Sequence, residues 1–482
     1  PLEMVIDYGG PNVAKPLHVG HLRSGVIGES IKRIVRYMGH HITGDIHLGD
    51  WGQPMGLIMN ELHIRKPDLV YFDESYTGEY PTEPPFTIAE LEEIYPFASK
   101  RSKEDPQYKE DSMACTYKLQ SGVRGYRALW NHIINVSVAD LKRNYEKLNV
   151  EFDLWNGEST VHDLIPGMVD YMKKEGYAYV SDGAPVVDVK EETDTKEVPP
   201  CMILKSDGAS LYNTTDLATI MDRMKCYHPD EIIYVVDKRQ ELHFVQVFRC
   251  ARKTGLVKPE TELKFLGFGT MNGKDGKPFK TRDGGVMRLE YLVSEIDNEM
   301  LKKITENQKA KENLGISEEE AKETAKTVAL AAIKYGDLSN QASKDYIFDI
   351  DRFTSFEGNT GPYILYTIVR IKSILHKYHD LGKNADNSVI TAAHSESEKN
   401  LMLELSKFNA VIEGAFTDTA PHKICSYIYD LANAFNSFYH ETKIMSEEDE
   451  TVQKSYIRLL ELTKSVLETS IDLLGFSAPE RM

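Results

Sequence analysis

Two kinds of apolar spacing alternate at the start of the chain and predict an α/β fold. Residues 3–8 contain a short apolar run at residues 4–6, and the segment is typical of a buried strand. Residues 22–38 carry apolar side chains at helical spacing, and a turn with a second short strand follows over residues 39–46. This order of elements opens a mononucleotide-binding α/β unit.

The pattern breaks between about residue 60 and residue 195, which predicts an insertion into that unit. The segment holds acidic, proline-rich loops and charged helical runs. Residues 176–189 predict a β-hairpin, because Asp182 and Gly183 form a dipeptide that is favoured at a two-residue turn.

The α/β alternation is predicted to resume near Cys201, and the chain becomes mostly helical from Leu289 onward. Residues 231–237 are apolar almost throughout, as a central parallel strand should be. We therefore predict a Rossmann-type nucleotide-binding domain that is split by an insertion and followed by an all-α C-terminal domain. The predicted divisions are 1–60 for the first half of the Rossmann-type domain, 61–195 for the insertion, 196–288 for the second half, 289–345 for a helical connecting region and 346–482 for the all-α domain.

A pair of histidines lies where the first predicted strand gives way to the first helix. His18 and His21 are separated by Val19 and Gly20, and the free N–H groups and dipole of a helix N-terminus favour an anion. Imidazoles can donate hydrogen bonds to phosphate oxygens, and glycine lets a flat base approach the backbone. The stretch predicts a nucleotide site, although a histidine pair at an ordinary helix cap fits the short motif equally well.

A second set of polar residues follows the ends of the predicted parallel strands. Ligands of open α/β sheets bind beyond those ends, so we expect these side chains to share one cleft. Two carboxylates with a phenol and amides suit a guanidinium, whose five donors match carboxylates in pairs. The set consists of Asp7, Asn12, Tyr212, Asp216, Gln240 and His243.

Members of that set also have ordinary structural explanations. Asp216 is placed where a helix begins, and a carboxylate there stabilises the helix dipole. Tyr212 fits partly buried packing with a satisfied hydroxyl group, and Gln240 fits a surface position. Spacing alone leaves both explanations open.

Composition restricts the class of protein. Of 482 residues, 41% are hydrophobic and 27% charged, and no apolar stretch reaches the roughly 18 residues of a membrane span. Five cysteines without a Cys-x-x-Cys pair argue against zinc and favour a reducing cytoplasm. The formal net charge of −18 is unusual for a protein that binds nucleic acid, because such proteins normally rely on Lys and Arg contacts to phosphates.

Several motifs together resemble the arginyl-tRNA synthetases of class I. Residues 11–24, Pro-Asn-Val-Ala-Lys-Pro-Leu-His-Val-Gly-His-Leu-Arg-Ser, are similar to the "HIGH" element of class I aminoacyl-tRNA synthetases in its arginyl version. Residues 212–216 and 237–243 resemble two further signatures of that family. The resemblance runs from the first strand to the C-terminus, and the chain is identified as a member of the family.

The resemblance implies a role for each residue of the cleft. Asp7, Tyr212 and Asp216 would hold the guanidinium of arginine, and Asn12 with Gln240 would orient its backbone end. The residues that it places around ATP are His18, Gly20, His21, His243, Gly269, Met271, Lys277 and Arg282. The expected cofactor is ATP with Mg²⁺, and no zinc or other protein-bound metal is expected.

The basic, glycine-rich loop at residues 273–285 occupies the place of the family's "KMSKS" element but departs from it. With Phe279 in the methionine position, Lys280 takes the serine position and Thr281 replaces the second lysine. Some arginyl-tRNA synthetases instead carry a lysine just upstream of the histidine motif, and Lys15 matches that position. A solvated basic turn is the alternative explanation of the loop. The expected catalytic residues are His18, His21, Lys15 and Lys280.

Residues 356–363 and 473–482 resemble the start and end of the family's helical anticodon-binding domain. The residues expected to contact tRNA phosphates are Arg370, Lys372 and Lys377. An aromatic series at helical spacing offers stacking surfaces for bases, although such a series is more often core. The series is Tyr427, Tyr429, Phe435, Phe438 and Tyr439. Residues 346–482 contain 13 Lys and Arg against 20 Asp and Glu, so charge alone does not predict RNA binding there.

The resemblance implies an arginine–tRNA ligase with L-arginine, ATP and an arginine tRNA as substrates. Members of the family often need bound tRNA before they activate arginine, and they usually carry an N-terminal domain that contacts the tRNA elbow. The sequence opens with Pro1 directly before the first strand, and we expect residues upstream of it. A monomer in the cytoplasm, without membrane attachment, is expected. The alternatives are another class I synthetase, a tRNA-independent adenylate-forming ligase or nucleotidyltransferase on the same fold, and a non-catalytic paralogue.

Overall fold

The structure is a computed structural model that describes residues 1–279, 287–310 and 315–482. Its strands are β1 (Glu3–Asp7), β2 (His41–Asp45), β3 (Ala178–Ser181), β4 (Ala184–Val187), β5 (Cys201–Met202), β6 (Glu231–Asp237), β7 (Glu262–Phe268), β8 (Met271–Asn272) and β9 (Tyr346–Ile347). Its helices are α1 (Val19–Tyr37), α2 (Gln53–Arg65), α3 (Ile88–Glu104), α4 (Pro106–Gln120), α5 (Arg124–Lys147), α6 (Glu158–Val161), α7 (Ile165–Lys174), α8 (Tyr212–Tyr227), α9 (Glu241–Lys253), α10 (Leu289–Ala310), α11 (Glu318–Leu338), α12 (Ile350–Phe353), α13 (Gly361–Asp380), α14 (Glu396–Ser406), α15 (Phe408–Thr417), α16 (His422–Glu441) and α17 (Glu450–Leu474).

The main sheet is parallel and has the strand order β2-β1-β6-β7. Val5 of β1 lies opposite Thr43 of β2 and Ile232 of β6. Side chains of β1 alternate between two hydrophobic cores, since Met4 and Ile6 belong to one cluster and Val5 to the other. Burial on both faces explains why the three central residues of this strand are all apolar. The predicted Rossmann-type α/β fold is confirmed.

Helices α3, α4 and α5 and a small antiparallel sheet lie in the chain between β2 and β6. β3 and β4 form the predicted hairpin, with positive φ angles at Asp182 and Gly183 (50° and 80°) as a type I′ turn requires. Cys201 pairs with Val187 of β4, so this segment extends the hairpin. This pairing corrects the expectation that the main sheet resumes near Cys201, because its next strand is β6. The residue numbers given for the domain boundaries stay predictions.

The C-terminal helices reach back to the first helix of the nucleotide-binding fold. The hydroxyl of Ser30 in α1 donates to the carbonyl of Leu473 in α17 (2.8 Å), and Arg33 donates to the carbonyl of Asp472 (3.0 Å). The helix that begins at the histidine pair is therefore held at its far end by the last helix of the chain. Within residues 1–279, 287–310 and 315–482, no helix is long and apolar enough to cross a membrane.

Candidate active site

The two histidines cap the N-terminus of α1 reciprocally. His18 is the N-cap residue, and its Nδ1 accepts a hydrogen bond from the Gly20 N–H (3.0 Å). Nδ1 of His21 accepts from the His18 N–H (3.1 Å). Since Nδ1 of each neutral ring is an acceptor, each ring carries its proton on Nε2. The cap thus leaves the Nε2–H group of both histidines to donate to a ligand.

Both imidazoles are held in the neutral form. Burial, together with the neighbouring His18 and Lys15, lowers the pKa of His21 to about 3. Burial also lowers the pKa of His18, with the charge of Lys15 as a second cause. The pair therefore offers neutral N–H donors at physiological pH, which do not repel a cation in the same cleft.

Gly20 is required by the geometry of the cap itself. A Cβ at this position would lie 2.7 Å from Cε1 and 2.8 Å from Nδ1 of the His18 ring. Any larger residue would push the imidazole out of its capping position. The expected approach of a flat base to this glycine stays a prediction.

The segment that follows the basic loop pairs with the histidine motif. The Val19 N–H donates to the carbonyl of Met287 (3.0 Å), and the Leu289 N–H donates to the carbonyl of Leu17 (2.9 Å). The chain therefore returns from the loop directly beside the histidines. Lys277 is exposed at the start of the loop. Lys280 and Arg282 lie outside the described residues.

Lys15 lies beside the histidines and rests on an aromatic ring. Its Nζ is 4.3 Å from the ring centroid of Tyr95 in α3. Its charge lowers the pKa of both His18 and His21. A basic group is thus present next to the helix N-terminus, where the departure of the basic loop from the family pattern leads us to expect one.

Asp7 belongs to a buried acidic cluster that already contains a cation. Its Oδ2 accepts from Nη2 of Arg223 (2.8 Å), and Asp45 accepts from the same nitrogen (3.1 Å). Burial raises the pKa of Asp7, and Arg223 offsets part of that effect. The predicted contact between Asp7 and a substrate guanidinium would therefore be shared with the guanidinium of Arg223. We call Asp7, Asp45 and Arg223 the paired cluster.

Asp216 lies in the same cleft, on the side where the arginine guanidinium is predicted to bind. Its Oδ2 is 2.5 Å from Nε2 of His243, and its Oδ1 is 3.8 Å from Nε2 of His47. Tyr212, one turn earlier in α8, is 72% exposed, and partial burial of its hydroxyl, followed by the charges of Glu158 and Asp216, raises its pKa. His243 was expected on the ATP side, and its contact with Asp216 adds it to the acidic side of the cleft.

Glu158 adds a third carboxylate that the sequence analysis did not include. It begins α6, and its N–H donates to the carbonyl of Leu48 just after β2 (3.0 Å). Burial, with His47 opposing it and repulsion from Asp50 and Asp216 supporting it, raises the pKa of Glu158 to about 7. Asp50 accepts from the N–H and the hydroxyl of Ser159 (2.9 and 2.6 Å). We call Asp50, Glu158 and Asp216 the open cluster.

Asn12 and Gln240 are placed at the ends of strands as predicted, with different exposure. Asn12 is half-buried and forms a bridge to Gly49. A Cβ on Gly49 would lie 1.9 Å from the side-chain oxygen of Asn12. Gln240 is exposed at the N-cap of α9. Both stand beyond the carboxyl ends of the sheet, and their contacts with substrate stay predictions.

The segment predicted beside the adenine is tied to α1 by Arg23. This buried arginine donates from Nη1 to the carbonyl of Gly269 (3.0 Å) and from Nε to Asp337 (3.1 Å). A Cβ on Gly269 would lie 2.5 Å from the carbonyl of Lys344. Met271 is buried in the same segment. The backbone here is fixed relative to the histidine helix, and the adenine contact stays a prediction.

Three residues of the cleft were not predicted from the sequence, namely His47, Glu158 and Arg223. His47 has a positive φ angle of 46° two residues beyond β2, and it faces the carboxylates of both clusters. Arg223 lies seven residues after Asp216, which places the two on one face of α8. That spacing was a signal in the sequence. Glu158 had none, because nothing local relates it to the strand ends.

The three basic residues predicted at the tRNA surface differ in position. Lys377 is exposed, and the guanidinium of Arg370 lies 4.5 Å from the ring centroid of Tyr439. Lys372 is only 6% exposed and its Nζ contacts Glu480 (3.1 Å) near the C-terminus. Its ammonium group is thus engaged inside the domain, which corrects its expected role as a phosphate contact.

The aromatic series divides in the same way. Three of its members are core residues of α16, and the other two are half-buried. The core residues are Tyr427, Phe435 and Phe438. The half-buried residues are Tyr429 and Tyr439. Only the latter two retain the accessible rings that base stacking requires.

Comparison with known families agrees with this arrangement of a split parallel sheet and capped histidines. Residues 2–350 match the family described as tRNA synthetases class I (R), catalytic domain, and residues 364–482 match the DALR anticodon binding domain. The chain is therefore a class I aminoacyl-tRNA synthetase, and such enzymes use ATP.

Similarity to individual proteins specifies the family. The chain is 70% identical to the arginine–tRNA ligase of Agathobacter rectalis and 59% identical to that of Alkaliphilus oremlandii, in each case over 100% of this chain and 81% of the relative. The arginyl-tRNA synthetase structure from Plasmodium falciparum superposes with a TM-score of 0.81 at 27% identity, covering 99% of this chain and 77% of that one. The chain belongs to the arginyl-tRNA synthetase family, and its activity is that of an arginine–tRNA ligase.

Proposed function

We propose that the cleft between the histidine pair and the open cluster binds ATP beside L-arginine for the first step of this activity. The arginine carboxylate attacks the α-phosphate of ATP, which gives arginyl-adenylate and pyrophosphate. A terminal ribose hydroxyl of the arginine tRNA then attacks the activated carbonyl. Little covalent chemistry is asked of the protein, so positioning and charge stabilisation supply the rate.

The observation that carries this assignment is the excess of negative charge in the open cluster. Asp216 and Glu158 lie close enough to repel each other, and burial prevents water from screening them. A guanidinium between them would relieve both effects and use its paired donors. Tyr212 lies beside both carboxylates, and Asp7 would add a contact from its place in the paired cluster. Asn12 and Gln240 would orient the amino-acid backbone end.

The phosphates of ATP are proposed to lie at the N-terminus of α1. The Nε2–H groups of His18 and His21 donate there, and the helix dipole favours the anion. His243, Gly269 and Met271 remain the proposed surroundings of the nucleoside. ATP would enter as its Mg²⁺ complex, and we assign no protein ligand to that ion. Among the described residues no group of three or more His, Cys, Asp or Glu could hold a metal ion.

Lys15 is proposed to replace the second lysine of the basic loop. It is a flexible point charge beside the histidines, which suits a pyrophosphate leaving group. We expect Lys15→Ala to slow adenylation by about tenfold or more, equivalent to about 1.4 kcal/mol. Single-turnover formation of arginyl-adenylate measures this step. A rate within about twofold of wild type would contradict the replacement.

The second substrate is proposed to contact the outer face of α13 and α16. Arg370 and Lys377 present positive charge there, with Tyr429 and Tyr439 as stacking surfaces. We leave Lys372 out of this surface because of its contact with Glu480. A monomer in the cytoplasm is the proposed form, and the five cysteines are free thiols, in keeping with a reducing compartment.

The experiment that tests the proposal is ATP–pyrophosphate exchange with each amino acid in turn, with and without purified arginine tRNA. We expect exchange with arginine alone, and strong dependence on the tRNA. Exchange with lysine or glutamate in place of arginine would refute the pocket. Full exchange without tRNA would favour the tRNA-independent ligase, and binding of arginine without any exchange would favour a non-catalytic protein.

A further inference from the structure

One face of α3, in the insertion, contacts two basic residues beside the proposed phosphate site, Lys15 and Arg288. Nζ of Lys15, just before the histidine motif, lies 4.3 Å from the ring centroid of Tyr95. Glu92, three residues earlier on the same helix face, accepts from Nη1 of Arg288 (2.8 Å). Arg288 lies three residues after the basic loop in the sequence and forms a bridge to His18. A single helix thus contacts both Lys15 and Arg288.

The helix that presents these two residues is firmly anchored. Leu91 and Ile94 lie in the large hydrophobic core, with 0% and 1% of their surface exposed. The Tyr95 ring packs against a second small cluster that contains Leu57 and Tyr108. The ring is therefore a fixed platform, whereas the four-carbon stem of a lysine is flexible.

The contact of Lys15 differs from an ordinary ion pair. Within the described part of the chain, no carboxylate lies within the 4.0 Å of a salt bridge to Lys15, and the aromatic face is the contact recorded for its ammonium group. A ring attracts a cation without neutralising it. The positive charge of Lys15 is therefore oriented and yet remains available to a phosphate.

We propose that Tyr95 is a positioning residue for the adenylation step and acts through Lys15. Its ring fixes the ammonium group beside the histidine pair before ATP binds, which reduces the conformational freedom lost when the phosphates are engaged. The ion pair of Glu92 with Arg288 holds the same helix beside the histidine pair, because Arg288 forms a bridge to His18. This inference rests on the proposed role of Lys15.

The test compares Tyr95→Leu, which removes the ring, with Tyr95→Phe, which keeps it. We expect Tyr95→Leu to lower kcat/KM for ATP by about fivefold or more in ATP–pyrophosphate exchange, with the KM for arginine changed less than twofold. Tyr95→Phe should restore most of the loss. Phe97→Leu is the matched control, because Phe97 lies on the same helix and its ring contacts Arg65 instead.

A double-mutant cycle separates positioning from damage to the fold. In a Lys15→Met background, Tyr95→Leu should cost less than twofold, because the group that it positions is already absent. The inference would be overturned if the losses of kcat/KM for ATP in Tyr95→Leu and Lys15→Met multiplied in the double variant. It would also be overturned if Phe97→Leu lost as much as Tyr95→Leu. Unchanged exchange in Lys15→Met would also overturn the inference. It would leave the proposed activation of arginine intact, because exchange by the wild-type chain measures that activity independently.

Discussion

The paired and open clusters are two acidic groups in one cleft, and they differ in how their charge is compensated. In the paired cluster, Arg223 contributes its own guanidinium to Asp7 and Asp45. In the open cluster, Glu158 and Asp216 repel each other, and burial raises the pKa of Glu158 to about 7. The chain therefore uses the same pairing of carboxylate and guanidinium twice, once internally and once, as we propose, with its substrate.

The comparison shows why the paired cluster and the open cluster have different roles. Burial alone would lower the pKa of Arg223, but Asp7, Tyr234 and Asp45 together raise it well above its usual value. That cluster is therefore a permanent part of the cleft wall. In the absence of substrate, burial and repulsion of the carboxylates destabilise the open cluster. A bound guanidinium would remove this unfavourable free energy, and the gain would strengthen binding.

Removing the internal cation should have the largest effect. Arg223→Met leaves two buried carboxylates without compensation, so we expect the free energy of unfolding to fall by about 3–5 kcal/mol. Urea denaturation measures the change. Arg143→Met is a suitable control because Arg143 is exposed and pairs with Asp140 on the helix surface, where about 0–1 kcal/mol is expected. Equal losses in the two variants would contradict a structural role confined to the paired cluster.

Removing a charge from the open cluster should affect binding more than folding. We expect Asp216→Asn to raise the KM for arginine by about 100-fold, equivalent to about 2.7 kcal/mol, because a charged hydrogen bond to the substrate is lost. Its free energy of unfolding should change by less than about 1 kcal/mol, since relief of repulsion offsets the lost contact with His243. ATP–pyrophosphate exchange and urea denaturation provide the two measurements. An unchanged KM for arginine would mean that arginine does not bind at Asp216.

The pH dependence of arginine binding should distinguish the clusters further. Glu158 is ionised above about pH 7 and protonated below it, so the charge that attracts arginine is lost as the pH falls. We expect the KM for arginine to rise by up to about tenfold per pH unit below pH 7. Exchange assays between pH 6 and pH 8 measure the slope.

Glu158→Gln provides the control for this titration. The amide keeps the size of the side chain but does not ionise, so its KM should be raised and nearly flat over the same range. A slope that persists in the variant would assign the titration to another group. A wild-type KM that falls on acidification would contradict a binding role for the ionised carboxylate.

Sequence reasoning gave the features that depend on local pattern. The apolar run of β1, the Asp182-Gly183 turn and the histidine pair at the start of α1 each follow from a few adjacent residues. The histidine pair also shows that two competing interpretations can hold together. Its Nδ1 atoms cap the helix, and the Nε2–H groups remain available to a ligand.

Partners that are distant in the chain could not be predicted. Arg223 and Asp7 are 216 residues apart, and their contact depends on how α8 packs beneath the sheet. Lys372 and Glu480 are 108 residues apart, so a lysine with the spacing of a surface residue is buried by the C-terminal segment. The sequence did not show which side chain each aspartate contacts: Asp7 pairs with Arg223, whereas Asp216 contacts His243.

Another buried basic residue, Lys334, extends the comparison and gives the smallest expected effect. Lys334 of α11 is fully buried and donates to the carbonyls of Gly475 (3.0 Å) and Asn149 (3.2 Å). Burial is the main cause that lowers its pKa to about 7, and the attraction of Glu29, which also pairs with Lys32, offsets only part of this effect. Unlike Arg223, Lys334 forms no ion pair with a carboxylate among the described residues, and we expect it to lose its proton in the folded state.

The sign of the resulting pH effect follows from proton binding in the two states. Between about pH 7 and pH 10, unfolded Lys334 holds a proton that the folded protein has released, so stability rises with pH. The free energy of unfolding should therefore increase by about 1 kcal/mol from pH 7 to pH 8, and Lys334→Met should lack this contribution. Urea denaturation of both proteins at the two pH values measures the difference. Parallel pH profiles would mean that Lys334 keeps its charge, as Arg223 does, and that burial without a carboxylate is not enough to remove it.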